Sequence, residues 1–239
     1  MIMKIRTKHL LAISALCFSI ATKAQDSCYI QLMVAPMEHE QTVPQSVANL
    51  LEIKLINAVT SVDDMTASKD YAHFFLSGRF DNRSTEVMGT KVVVQTTLTL
   101  YIGDFDRKSI LSSQSFELRG IGNTEEKALL HSLNQIRVNN RQIKLFLEQG
   151  KEKIIDYYDK NYMQYLDSAL LADKKGKVEE ALYYSTLIPT KSKGYAEAKQ
   201  TTDKIMKKCN TKKSATTIGK DWNKQQKRPI PTINFVKYK

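Results

Sequence analysis

The residues that could carry out chemistry in this chain are few and widely separated. Three of its four histidines, His39, His73 and His131, fall outside the amino-terminal segment. They follow neither the HExxH nor the His-x-His spacing that brings imidazoles together around zinc. The sequence also holds no Gly-x-Ser-x-Gly nucleophile elbow. We therefore expect no enzyme activity, no metal and no cofactor; a hydrolase that uses His39 or His73 is the alternative.

A Gly120-x-Gly122 motif precedes a predicted helix and invites a phosphate-binding interpretation, because the amino terminus of a helix attracts anions. The third glycine of a dinucleotide-binding loop is missing, and Glu125 and Glu126 would repel a phosphate. The motif therefore predicts a structural turn.

Asp104-x-Asp106 presents two carboxylates that could bind a divalent cation. Both lie in a predicted hairpin turn beside Arg107 and Lys108. Turn formation and ion pairing are the more ordinary uses of acidic residues in this setting. We predict those roles here.

The first 24 residues have the pattern of a secretory signal peptide. Lys4, Arg6 and Lys8 precede an apolar run over residues 10–21, and small residues lead to Ala24. The run is too short to span a bilayer comfortably. We predict cleavage near Ala24 and a periplasmic or secreted mature chain; the composition is typical of a Gram-negative bacterium.

Two cysteines, Cys28 and Cys209, would remain after cleavage. In an oxidising compartment they could form one disulfide between the first strand and the last helix. Two independent thiols are the alternative, because the sequence does not show whether the residues come close enough to bond.

The basic charge of the chain is concentrated at its ends. The net charge is +11, of which the signal segment contributes four positive charges. Residues 207–239 hold ten Lys or Arg and one Asp, so the body between them, 25–206, is slightly acidic. Nucleic-acid binding would need a basic face on the folded part, and we predict none. Membrane contact is expected only through partners or through the basic tail.

The part from 25 to 149 has the pattern of an α+β domain. Apolar alternation predicts strands at 28–35, 73–80, 91–102 and 109–119, and helical spacing predicts a helix at 44–60. Residues 61–71 and 81–90 are polar and predict loops. A second long helix opens at Asn123, with Glu126 completing a capping box. Its predicted buried stripe consists of Leu129, Leu133, Ile136, Ile143 and Leu147.

This order, β-α-β-β-β-α, predicts a two-layer α+β sandwich. Residues 150–209 lack a strand pattern and predict helices at about 151–174, 177–188 and 193–208. Within them Ala169, Gly176, Ala181 and Pro189 resemble the small, turn and stop positions of one tetratricopeptide hairpin. We predict a helical hairpin appended to the sandwich.

Aromatic residues mark candidate surfaces for protein contact. Tyrosines are dense in the helical part, and they either bind a partner or seal the hairpin onto the sheet. The composition of residues 210–239 predicts a disordered basic tail. Its β-prone end could add a strand to the sheet of a partner or stay in solvent. The candidate contact residues are Tyr158, Tyr162, Tyr165, Tyr183, Tyr184, Phe235 and Tyr238.

Several motifs between 28 and 145 together resemble one family of periplasmic domains. They are the Val34-Ala-Pro36 strand end, the helix opening over 42–47, the Leu111-Ser-Ser-Gln-Ser115 strand and the segment 120–128 before the last helix. In this order they resemble the periplasmic domain shared by the CsgG-type curli secretion lipoprotein family, outer-membrane activators of penicillin-binding proteins and flagellar assembly protein T. The resemblance implies a scaffold or activator.

Taken together, these features predict an exported, non-enzymatic accessory or assembly protein of the cell envelope. Its expected partners are other envelope proteins, and a homo-oligomer is also considered. The alternative is a periplasmic module that binds a small ligand or a glycan through the 61–71 and 81–90 loops.

Overall fold

The computed structural model describes residues 29–35, 43–68 and 72–210. The predicted signal segment, Cys28, His39 and the tail with Phe235 and Tyr238 lie outside these residues. The side chain of Cys209 also lies outside them, so the predicted disulfide stays a prediction.

The centre of the fold is one five-stranded sheet with the strand order β2-β1-β3-β4-β5. Strand β1 pairs in parallel with both β2 and β3, whereas β3, β4 and β5 form antiparallel hairpins. The strands are β1 (Ile30–Val34), β2 (Met65–Ser68), β3 (Phe74–Met88), β4 (Lys91–Asp104) and β5 (Ser109–Gly122).

Both predicted loops contain strand residues, four of them in 61–71 and most of the segment 81–90. Residues 61–71 contain β2, and residues 81–90 contain the end of β3 and the turn to β4. Strand β2 is only four residues long and pairs with β1 by backbone hydrogen bonds, which leave little trace in sequence. The end of β3 is exposed on both faces, so it lacks the apolar alternation that indicates a strand.

Five helices accompany the sheet in the described part of the chain. They are α1 (Gln45–Thr60), α2 (Glu125–Ser132), α3 (Arg141–Lys174), α4 (Val178–Thr186) and α5 (Tyr195–Asn210), with a 3₁₀ turn at Leu133–Gln135. None of these helices combines the length and the apolar composition that a membrane crossing requires.

The second helix of the sandwich differs from the prediction in its start and in its continuity. Thr124, not Asn123, caps α2, because its side chain accepts a hydrogen bond from the Lys127 amide. The helix stops before Ile136, and Asn140 then caps α3 by accepting the amide hydrogens of Gln142 and Ile143. All five residues of the predicted stripe are nevertheless buried.

Helices α1, α2 and α3 share one apolar core with the sheet. At Gly120 the approach of α2 to β5 is so close that a Cβ atom would lie 1.8 Å from the carbonyl oxygen of Ala128. Gly150 of α3 allows a similar approach to Ile102 of β4. The predicted α+β class is therefore confirmed, with β2 as an additional strand.

Helix α3 has 34 residues, which corresponds to about 51 Å. Its first half packs on the sheet, and its second half packs against α4 and α5. Gly176 makes the turn to α4 with φ of 73°, and Ala172, Ala181 and Ile205 form a small core there. The predicted domain boundary near 149 thus falls inside a continuous helix. The tetratricopeptide resemblance stays a prediction.

Candidate functional site

His73 precedes β3 and lies buried between two carboxylates. Its Nε2 is 3.4 Å from Oδ2 of Asp104, and its Nδ1 is 3.1 Å from Oδ2 of Asp106. The side chains of His73 and Asp104 are 4% and 0% exposed, whereas that of Asp106 is 57% exposed. One carboxylate is therefore fully enclosed with the imidazole, and the other reaches it from the surface.

The turn between β4 and β5 holds Asp104 in place. Its Oδ1 accepts the backbone amide hydrogens of Asp106 and Arg107 at 2.8 and 3.0 Å. This leaves the second carboxylate oxygen directed at His73. The turn-forming role predicted for the aspartates agrees with these bonds, and the ion pairs that the structure shows for both acids are with His73. The described part of the chain contains no group of three histidine, cysteine or acidic side chains placed to hold a metal.

Two tyrosines of α3 complete the cluster at the ring nitrogen that Asp104 also approaches. The hydroxyls of Tyr157 and Tyr165 lie 3.3 and 3.2 Å from Nε2 of His73, and 2.8 Å from each other. The guanidinium of Arg107 stacks on the Tyr157 ring at 4.7 Å and donates to Oδ1 of Asn161 at 2.9 Å. The turn after β4 is thereby attached to α3 at several points.

The electrostatics favour a charged imidazole. Burial acts to lower the pKa of His73, but the hydrogen bonds and negative charges of Asp104 and Asp106 outweigh it and raise that pKa to about 9. Burial likewise acts to raise the pKa of Asp104, yet the contacts with His73 and with the Arg107 backbone hold it below its ordinary value. At neutral pH the pair is therefore an imidazolium and a carboxylate.

The tyrosine hydroxyls stay protonated at this site. Burial raises the pKa of Tyr157 to about 12 and raises that of Tyr165 further. Burial also raises the pKa of the neighbouring Tyr158 well above its usual value. The hydroxyls can therefore donate and accept hydrogen bonds but supply no charge.

We call the cluster of His73, Asp104, Asp106, Tyr157 and Tyr165 the histidine joint. Its imidazole and inner carboxylate are enclosed by protein, so they cannot contact a dissolved substrate without local opening. The histidine joint connects three segments of the fold, which are the start of β3, the β4–β5 turn and α3. Its chemistry is that of a buried ion pair supported by hydrogen bonds.

The tyrosines of the helical part that the sequence singled out form two groups in the structure. Tyr158 is buried in the main core, and Tyr162 and Tyr165 are half-buried against it. A Cβ atom at Gly194, just before α5, would lie 2.3 Å from the ring of Tyr162. These contacts correspond to the sealing alternative for these three residues.

Tyr183 and Tyr184 are half-buried on α4, and their rings contact each other at 5.4 Å. A role in binding a partner stays a prediction for every tyrosine in the set.

Sequence reasoning considered His73 and the two aspartates separately and did not connect them. They are about thirty residues apart, and Tyr157 is far from both. The signal that could have joined them is the hairpin register, in which Phe74 pairs with Asp104. Recognition of the turn at Gly89 would have placed His73 next to the turn aspartates.

The comparisons with known proteins assign no family. No family model matches the chain, and no curated protein matches it. Among solved structures, a minor lipoprotein from Acinetobacter baumannii is similar at 14% identity and a TM-score of 0.30, over 52% of this chain and 93% of its own. The hypothetical protein CT253 from Chlamydia trachomatis is similar at 7% identity and a TM-score of 0.27, over 52% and 91%. At these values neither similarity indicates a function.

Proposed function

We propose that this protein is an exported, non-enzymatic accessory or assembly protein of the cell envelope that acts by binding other proteins. The proposal rests on the signal-peptide pattern for export and on one structural observation for binding, an exposed apolar surface on α3. The resemblance to CsgG-type domains agrees with such a role and stays part of the proposal.

The observation that carries the proposal is the outer apolar surface of α3. Met163, Leu170 and Leu171 are 54%, 44% and 53% exposed. Spacings of seven and eight residues place them on one side of the helix, opposite its buried stripe. Grouped apolar side chains that face water mark surfaces that bind other proteins.

The histidine joint supports this role because it fixes the direction of the helix. It attaches α3 to the sheet through Tyr157 and Tyr165, which flank Met163 at the start of the exposed apolar surface. A surface that is held rigidly loses less conformational entropy when a partner binds. Because His73 and Asp104 are enclosed, this acid–base pair cannot reach a dissolved substrate. This favours a binding function over a catalytic one.

The direct test is site-specific photo-crosslinking in intact cells. A photoreactive residue at Leu170 should give a defined adduct with an envelope protein, whereas the same residue at the exposed Ser113 of β5 should not. The triple variant Met163→Gln, Leu170→Gln, Leu171→Gln should abolish binding of that partner without lowering the melting temperature. Identical adducts from both positions, or full binding by the triple variant, would contradict the proposal.

The predicted export has its own measurement. Mass spectrometry of the protein from the periplasmic fraction should give a mature chain that begins at Gln25. A full-length chain that stays in the cytoplasm would contradict the envelope assignment.

A further inference from the structure

A second charged region lies at the other end of the sheet and contributes nothing to the histidine joint. An open cleft of about 460 Å³ separates the end of β5 from the segment that joins α2 to α3. We call it the basic cleft. Its side chains are cationic, imidazole or carboxamide groups, contributed by Arg119, His131, Asn134, Gln135, Arg137 and Asn139.

The segment that forms one wall of the cleft is held in place by its own polar groups. Gln135 Nε2 donates to the carbonyl of Arg119 at 2.8 Å, and Asn140 Nδ2 donates to the carbonyl of Gln135 at 2.9 Å. Arg137 uses its Nε to donate to the carbonyl of Asn134. The wall is thereby fixed to β5, and the outer nitrogens of Arg137 are left for another acceptor.

Several hydrogen-bonding groups remain available in the cleft. His131 accepts the Ile121 amide hydrogen through Nδ1 at 3.2 Å, so its Nε2 carries the proton and can donate. Within the described residues, no hydrogen bond occupies the guanidinium of Arg119 or the side-chain amides of Asn134 and Asn139. A ligand would therefore meet donors and amide acceptors without having to break existing bonds.

The charge around the cleft is unbalanced. Lys54 of α1 lies behind Arg137 and donates to the carbonyl of Ile136 at 3.2 Å. In the described part of the chain, no carboxylate forms a salt bridge with Lys54, Arg119 or Arg137. Burial, and after it the charge of Arg137, lower the pKa of Lys54. Cations held together without an internal counter-ion attract an external anion.

We propose that the basic cleft binds an acidic saccharide, that is, a sugar that carries a carboxylate. Guanidinium groups pair with planar carboxylates and with phosphates through paired hydrogen bonds. Carboxamides both donate and accept, which suits the hydroxyls of a sugar. The volume lies within the range of known ligand sites, about 300–1,000 Å³, and the guanidinium and carboxamide groups of the lining can hydrogen-bond a hydrated ligand. The site goes beyond the proposed protein-binding function.

The loops that the sequence favoured for a glycan do not line this cleft. The lining of the cleft comes from β5, α2 and the segment after α2. The basic cleft is therefore a different candidate site from the loop site, which stays a prediction.

The test is a titration of the mature chain with three probes. Binding is measured by calorimetry and by NMR of the Asn and Arg side-chain signals. Digalacturonate provides carboxylates on a disaccharide, cellobiose provides a neutral disaccharide of similar size, and inorganic phosphate provides an anion without a sugar. We expect saturable binding of digalacturonate, with shifts at Asn134 and Asn139, and much weaker binding of the other two.

Variants locate the binding to the cleft. Arg119→Gln and Arg137→Gln should each weaken digalacturonate binding about ten-fold. The matched control Arg83→Gln removes the same charge from the β3–β4 hairpin and should bind as the wild type does. Arg119 makes no side-chain hydrogen bond to a described residue, so this variant tests the site without disturbing the wall.

Four outcomes would overturn the proposal. They are the absence of saturable digalacturonate binding, equal binding of cellobiose, equally tight binding of phosphate alone, and unchanged binding by both cleft variants. Each is independent of the crosslinking result, because the exposed apolar surface of α3 does not line the cleft.

Discussion

The histidine joint and the basic cleft use charged residues in opposite ways. In the joint, the His73 cation is surrounded by two aspartates and two tyrosines and is shielded from water. In the cleft, Arg119 and Arg137 face solvent without a carboxylate partner among the described residues. The first arrangement satisfies its own charge and serves the fold, whereas the second leaves charge for a ligand.

This difference shows why a perturbed pKa does not by itself identify a functional site. His73 has the raised pKa and the acid–base partners that suggest catalysis, yet it is enclosed. The side chains of the cleft are common surface residues. They suggest a binding site because together they surround a space that a ligand can enter. Accessibility therefore decides which of the two clusters can meet a ligand.

The largest expected effect comes from breaking the joint at its centre. Asp104→Ala leaves the His73 cation buried without its inner partner and removes the acceptor of the turn amides. We expect the free energy of unfolding to fall by about 3–5 kcal/mol, measured by urea denaturation at pH 7. Asp106→Ala, at the exposed carboxylate, is the control and should cost about 1 kcal/mol or less. Equal losses would contradict the distinction between the two acids.

The second prediction concerns pH. The folded pKa of His73, about 9, exceeds its ordinary value of 6.5. The stabilisation is therefore complete below pH 6.5 and is lost as the pH rises through about 9. From the shift we expect a loss of about 3 kcal/mol across this window, measured by urea denaturation at each pH. His73→Gln should remove most of this slope, and His131→Gln should keep it.

A smaller effect is expected at the helix side of the joint. Tyr165→Phe keeps the ring in the core but removes a hydroxyl that bonds Tyr157 and approaches His73. The free energy of unfolding should fall by about 1 kcal/mol. Tyr184→Phe, at a half-buried residue of α4, serves as the comparison and should lower the free energy of unfolding by less. A loss at Tyr184 as large as that at Tyr165 would argue against the joint.

The smallest expected effect on stability is at Arg119 of the basic cleft. Arg119→Gln should leave the free energy of unfolding within about 0.5 kcal/mol of the wild type, because no internal partner is lost. Arg137→Gln should also raise the pKa of Lys54 toward its ordinary value, which NMR of the lysine side chain would detect. A large destabilisation by Arg119→Gln would show that the cleft serves the fold.

The sequence predicted most of the regular elements because their apolar spacing is strong. The helix at 44–60 and the strands around Leu98 and Phe116 agree with the structure within a few residues, whereas the strand around Leu76 continues to Met88 instead of ending at 80. Strand β2 could not be predicted, because four residues without alternation carry no periodic signal. The break between α2 and α3 was also missed, since the apolar residues on either side of Asn140 keep nearly helical spacing.

The sites were less predictable than the elements. Asp104 and Asp106 were correctly assigned to a turn, but their pairing with His73 depends on a hairpin register that the sequence left open. The basic cleft combines Arg119 of β5 with Arg137 after the 3₁₀ turn, and only the folded arrangement brings them together. Residues that are distant in sequence and lack a motif give no local signal of such a site.

The continuity of α3 couples the stability of the two halves of the molecule. Residues 141–174 form one uninterrupted helix that contributes to the core beneath the sheet and to the small core of the helical hairpin. Fraying that starts at the hairpin can therefore propagate along hydrogen-bonded turns toward the sheet. The two halves should melt in a single cooperative transition, and a protease should find no cleavable linker between them.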